Sequence, residues 1–267
     1  MWHWMTDIAL NRLRTMAQNI YDNPEFFDGY SQLPRSRQGL DGAPEWPALR
    51  ALLPNLHDLR VLDLGCGYGW FCRWAQGQGA ASVLGLDLST RMLDRARALT
   101  EDARIAYEQA DLEQLDLSRH TFDLIYSSLA FHYVQDLPQL LRVIRAAMAP
   151  GGRLVFSIEH PIYMAAMQPG WLTTDDGRRV WALDSYQIEG RRETDWLAKG
   201  VVKYHRTIGT LINALIAARF RVDHVEDWGP GHADLARQPA LAEEVHRPMM
   251  LLIRAGAVSP APSPTQG

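Results

Sequence analysis

From Arg60 onward the chain alternates continuous apolar runs with amphipathic ones, and this alternation restricts its possible folds more than any other feature. RVLDLG, ASVLGLDLS, IAYEQADL, FDLIYSSLAF and RLVFSIEH read as five strands. Between them, WFCRWAQGQG, residues 90–100 and LPQLLRVIRAAM carry apolar side chains at helical spacing. Strands that are apolar on both faces belong to a parallel sheet with helices packed on each side. After His160 the register breaks. Residues 160–204 have no clear period but are rich in Tyr, Trp and Met, which reads as a cap inserted after strand five. TIGTLINALIAARF then predicts a helix, and FRVDHVEDW and RPMMLLIRA two more strands. The expected fold class is α/β, a doubly wound and mostly parallel sheet. It divides into an N-terminal helical segment (1–54), a main domain (55–255) carrying the cap, and a disordered tail (256–267).

Composition narrows the function. A net charge of −4 over 267 residues gives no general attraction to a polyanion, so nucleic acid is not expected as a partner. No apolar run is long enough to span a membrane. Cys66 and Cys72 offer neither a disulfide framework nor a metal-binding spacing, so a reducing, cytoplasmic setting and no metal are expected. The first fifteen residues read as an amphipathic helix, and no sequence feature specifies an oligomeric state.

The chemistry concentrates at the strand ends. VLDLGCGYGW carries glycines at 65, 67 and 69, a bare turn between a strand and a helix that suits an anionic or polar ligand. A nicotinamide-dinucleotide loop would place a third glycine at position 70, where this chain has Trp70. In a doubly wound sheet, ligands bind at the carboxyl ends of the strands. Those ends offer Asp87, suited to a pair of ribose hydroxyls, then Asp111-Leu112, Ser127-Ser128 and Glu159-His160. The set fits a nucleoside with a short polar tail.

These motifs, in this order from Val61 to His160, resemble the class I S-adenosylmethionine-dependent methyltransferases: VLDLGCGYG, GLDLS, QADLEQL, FDLIYSSLAFHYVQD and MAPGGRLVFSIEHP. The likeness is nearest to the small-molecule branch typified by quinone-biosynthesis enzymes. It implies a seven-stranded Rossmann-like sheet and S-adenosylmethionine as cofactor. Gly65, Cys66 and Gly67 would form the cofactor loop, with Asp63 supplying field, and Asp87 with Leu88 would sit at the ribose. Asp111 and Leu112 would lie at the adenine, the backbone of Ser127 at the ammonium, and Tyr21 or Tyr30 beside the sulfonium. His132, first, and His160, second, are the candidate bases for a hydroxyl acceptor. His205 is expected to open a helix, Arg35 to be solvated or else to bind an anion at the cofactor or substrate, and Trp70 and Trp74 to be core. The chain lacks the motifs of DNA amino-, RNA cytosine- and protein arginine methyltransferases after strand four. The expected acceptor is therefore a small aromatic or apolar metabolite, methylated at oxygen, nitrogen or carbon. A nicotinamide-dependent oxidoreductase and a non-catalytic S-adenosylmethionine-binding protein are the alternatives.

Overall fold

The structure, a computed structural model, describes residues 17–258, so the first fifteen residues and most of the expected tail lie outside it. Five strands come first: β1 (Arg60–Leu64), β2 (Ser82–Asp87), β3 (Ile105–Gln109), β4 (Phe122–Ser128) and β5 (Met148–Glu159). The cap contributes β6 (Trp171–Thr173), β7 (Arg179–Trp181), β8 (Gly190–Trp196) and β9 (Ala198–His205), and the last strands of the described residues are β10 (Phe220–Trp228) and β11 (Met250–Ala257). The main sheet has seven strands in the order β10-β11-β5-β4-β1-β2-β3. β11 runs antiparallel to both β5 and β10, while β1 to β5 pair in parallel.

Alternation along each strand explains why the strands read as unbroken apolar runs. Leu62, Leu64, Ile125, Phe156 and Ile253 face one helical layer, with Leu140, Ile144, Leu211 and Leu215 from the helices Leu137–Ala146 and Ile208–Ala217. Val61, Leu124, Val155 and Leu252 face the other layer, with Phe71, Ala75, Trp46 and Leu49 from Trp70–Gly77 and Trp46–Leu52. Each face buries its side chains against a helical layer, so neither needs polar positions. β1 pairs with β2 on one side and β4 on the other, which places the switch in strand order at the carboxyl end of β1.

The cap is built from secondary structure that the sequence hides. After a short helix, Pro161–Ala165, it folds as two hairpins, β6–β7 and β8–β9. β8 reads GRRETDW, and its buried position is Arg192, whose guanidinium donates to the carbonyls of Ala165, Ser185 and Ile188. A strand that buries a hydrogen-bonded arginine shows no apolar alternation. The cap also ends later than expected. His205 closes β9 instead of opening a helix, its Nε2–H donating to the Tyr186 carbonyl at 2.9 Å. The following helix starts at Ile208 under a Thr207 cap. β11 runs to Ala257, two residues into the expected tail.

Candidate functional site

A cavity of about 370 Å³ opens at the carboxyl ends of β1, β2 and β4, where the strand order switches. Gly65 and Gly67 form one wall, both in the left-handed region at φ 78° and 53°. The N–H groups of Gly65 and Cys66 donate to the Leu86 carbonyl at 2.8 and 2.9 Å, and that of Gly69 to Cys66 O at 2.9 Å. The loop is thus pinned to β2 by its own backbone. Gly67 N–H donates to Asp87 Oδ2 at 2.8 Å, and Ser89 N–H to Asp87 Oδ1 at 2.9 Å. Burial lifts the Asp87 carboxyl to about 6, and those two backbone donors limit the rise.

Several predicted cofactor residues converge on this cavity: Tyr21, Tyr30, Gly65, Gly67, Asp87, Leu88, Asp111 and Leu112 all line it. Asp111 accepts from Glu113 N–H at 2.9 Å and from Ala17 N–H at 3.2 Å, so the N-terminal segment crosses its carboxylate. Asp22 holds that segment down, accepting from Ser89 Oγ at 2.5 Å and Arg91 N–H at 3.2 Å. Tyr21 packs edge-on to Phe26, Tyr30 and Tyr133 at centroid distances of 4.7, 5.2 and 6.0 Å. Nothing in the local sequence flags that cluster, because its members come from the N-terminal helices and the turn after β4.

Other predicted residues lie elsewhere. The Ser127 hydroxyl is fully buried and donates to the Leu64 carbonyl at 2.7 Å, while Ser128, Leu129 and Ala130 line the cavity. Asp63 and Cys66 border a smaller space of about 90 Å³ behind the loop. Cys72 Sγ donates to Asp63 Oδ2 at 3.3 Å, and burial raises the Asp63 carboxyl to about 7. His160 caps the helix Pro161–Ala165, accepting Ile162 N–H at Nδ1 and meeting Asp227 through Nε2 at 2.8 Å. It is a structural residue beside the cavity and does not line it. Arg35, expected to be solvated, pairs with the buried Glu45 at 3.0 Å and lines both spaces. Trp70 is half-buried and also borders the smaller space, where Trp74 packs on Trp46 at 4.8 Å.

His132 does reach the cavity but is poorly placed to take a proton. Its ring is 2 % exposed, and Nδ1 accepts the Glu159 N–H at 3.4 Å, which leaves the neutral ring's proton on Nε2. Burial drops its basicity to about 4, with Lys203 and Arg206 nearby adding to the effect and Glu159 opposing it. Glu159 lines the same wall and accepts from the buried Lys203. Burial alone would raise its carboxyl, but His132 and Lys203 hold it below the usual range. Lys203 is a residue that sequence reasoning missed. The signal was available: in AKGVVKYH, Lys203 falls in phase with the buried Val201 and His205.

Asp63 supplies a stability prediction for the ligand-free protein. Its folded carboxyl titrates near 7, above the ordinary value of 3.8, so folding favours the protonated form. The stability it contributes is complete below the unfolded value and is lost as pH rises through about 7. Asp63→Asn should remove this dependence, making wild type lose about 2 kcal/mol relative to the variant between about pH 5 and 8. Parallel urea midpoints for the two proteins across that range would refute the assignment.

Among the described residues no group of His, Cys, Asp and Glu could hold a metal ion, and no described helix is long and apolar enough to cross a membrane. Residues 62–156 match the family model described as a methyltransferase domain. The crystal structure of an S-adenosylmethionine dependent methyltransferase from Mesorhizobium loti is 59% identical, covers 82% of this chain and 100% of that one, and superposes with a TM-score of 0.79. A putative S-adenosylmethionine dependent methyltransferase from Listeria monocytogenes is 36% identical, covering 81% of this chain and 99% of its own, with a TM-score of 0.74. A malonyl-[acyl-carrier protein] O-methyltransferase from Enterobacter lignolyticus is 35% identical over 129 residues, which is 48% of this chain and 50% of that protein.

Proposed function

The chain belongs to the S-adenosylmethionine-dependent methyltransferases, and from that premise we propose how its residues hold the donor and present a small acceptor to it. The nicotinamide reading falls with the family. The observation that carries the proposal is the cavity itself. One wall is the bare glycine turn with the Asp87 carboxylate, and the other is the Tyr21, Tyr133, Trp196 and Glu159 cluster.

S-adenosylmethionine supplies an electrophilic methyl group on a positively charged sulfur. Asp87 accepts hydrogen bonds from the ribose hydroxyls, and Asp111 with the backbone at Leu112 meets the adenine edge. The N–H groups of Gly65, Cys66 and Gly69 are already used within the protein, and Arg35, which lines the cavity while paired with Glu45, is the cation offered to the carboxylate tail. Tyr21 and Tyr30 line the cavity, where an aromatic face would favour a cation. His132 has its one acceptor nitrogen taken by the Glu159 N–H. The Glu159 carboxylate, kept ionised beside Lys203, keeps lone pairs free and is the proton acceptor for a hydroxyl substrate. Side chains of the cap and of the N-terminal segment line the cavity beside both, and the bound ligands displacing water there would hold the acceptor in line with the methyl group.

The acceptor is a small molecule, enclosed by side chains from the cap and from the connection between β10 and β11. Isothermal titration with S-adenosylmethionine, followed by incubation of a metabolite extract with methyl-labelled donor, tests the proposal. Donor binding together with a labelled small product is expected, and absence of donor binding would overturn it.

The two cap tryptophans should behave differently. Trp196 lines the cavity and packs on Phe26 at 5.4 Å, whereas Trp171 lies in the outer hairpin against Trp181 at 5.6 Å. Trp196→Ala should raise the acceptor KM at least about tenfold, the loss of roughly 1.4 kcal/mol of contact, with donor affinity unchanged. Trp171→Ala should lower the melting temperature and leave KM alone. An unchanged acceptor KM in folded Trp196→Ala would remove Trp196 from the acceptor wall.

A further inference from the structure

We infer that the methyl-accepting atom is the oxygen of a hydroxyl, such as a phenol, that contacts Lys203 and Glu159 together. The inference rests on the methyl-transfer reading above and adds the acceptor class to it.

At the acceptor wall, aromatic rings and a carboxylate come together: Tyr133, Trp196 and Glu159. Such a cage ordinarily suits a cationic amine. Here the protein's own ammonium fills it. Lys203 Nζ lies 5.1 Å from the Trp196 ring centre and 6.0 Å from that of Tyr133, and it donates to Glu159 Oε1. Lys203 is 4 % exposed, so its charge acts in a poorly solvated place. An ammonium substrate entering beside it would meet a like charge.

Counting lone pairs then separates the remaining acceptors. The Lys203 ammonium has three N–H donors and no acceptor, and Glu159 takes one of them. A neutral amine has a single lone pair. If that pair accepts from Lys203, none remains to attack the methyl carbon. A carboxylate has lone pairs to spare but no proton to give Glu159, and it would sit against that second negative charge. A hydroxyl satisfies both partners. It accepts from Lys203 with one lone pair, donates its proton to Glu159, and keeps a second lone pair for the methyl carbon. In the step, the oxygen lone pair forms the O–CH₃ bond, which makes the O–H strongly acidic, and its proton passes to the Glu159 carboxylate. The S–CH₃ bond breaks with its electrons staying on sulfur, and Glu159 afterwards returns its proton to water.

The test uses three probes that share a ring, chosen so that at neutral pH the phenol keeps its proton and the amine is uncharged: 4-methylphenol, 4-methylaniline and 4-methylbenzoate. Donor binding by S-adenosylmethionine is titrated first, so that failure of the methyl-transfer reading appears on its own as absent donor affinity. Binding of each probe is then measured by calorimetry on protein saturated with S-adenosylhomocysteine, and methylation with labelled donor. The phenol should bind at least about tenfold tighter than the aniline or the benzoate, and it alone should be methylated. Lys203→Met should abolish that preference and lower turnover by about a hundredfold, the scale of a lost acid–base partner. Because the single variant leaves Glu159 buried without its partner, the double variant Glu159→Gln/Lys203→Met is measured alongside it. Loss of the preference in a folded double variant supports the inference. Equal or tighter aniline or benzoate binding would overturn it. So would failure of the phenol to bind donor-competent protein, or a preference that survives in the double variant.

Discussion

Asp87→Ala should weaken S-adenosylmethionine binding by tenfold or more while the chain stays folded. Hydrogen bonds to a charged group contribute roughly 1.5–3 kcal/mol each, and about 1.4 kcal/mol is a factor of ten in affinity. Even one lost ribose contact therefore reaches the expected effect. The fold should tolerate the change because the carboxylate is held at a cost: burial lifts it to about 6, above the ordinary 3.8. Its removal relieves that desolvation, and the N–H groups of Gly67 and Ser89 that it now satisfies face a cavity that admits water. The sign with pH follows from the same shift. The ionised form accepts both hydroxyls, so wild-type affinity should be flat above about 7 and fall as pH drops through about 6. The variant should show no such fall. Calorimetric titrations of both proteins across this range check both statements. Equal affinity of wild type and folded Asp87→Ala would take Asp87 out of the donor site.

Two glycines of one loop should fail in opposite ways. At Gly69 φ is 70°, and an added Cβ would lie 2.1 Å from the Tyr107 hydroxyl, itself bonded to Thr100 at 3.1 Å. Gly69→Ala therefore combines left-handed strain with a clash against a side chain held from behind, and should cost about 2–4 kcal/mol of stability. For a domain of this size that corresponds to a fall of roughly 5–15 °C in melting temperature. At Gly67 φ is 53° and an added Cβ meets nothing within 4 Å. The open space is the cavity, so Gly67→Ala should cost only about 1 kcal/mol of stability. It should still lower donor affinity by about tenfold or more, because the methyl would stand where the ligand backbone passes. Thermal melts and donor titrations of the two variants decide this. A Gly67→Ala protein with normal donor affinity would mean the donor does not approach the turn.

The sheet and its ligand end were legible in the sequence because they rest on local periodicity. Leu62 and Leu64 face one helical layer while Val61 faces the other, and this two-sided burial writes an apolar run that needs no distant partner to be recognised. The glycine turn and Asp87 were legible for a related reason. Each terminates such a run, and the fold brings the ends of β1 and β2 side by side in parallel register.

The proposed acceptor wall rests only on the tertiary structure. Glu159 ends β5, Lys203 lies in a cap hairpin and Tyr21 precedes the first long helix, so their meeting depends on contacts far apart in the chain. His132 and His160 show the same limit. Both follow strand ends, but one has its Nδ1 taken by a backbone N–H and the other caps a helix against Asp227. What a side chain can do chemically depends on which of its atoms remain unsatisfied, and here folding brings those partners from distant segments. Sequence periodicity determined where the strands end; packing of distant segments determined which of the groups there remain available to a ligand.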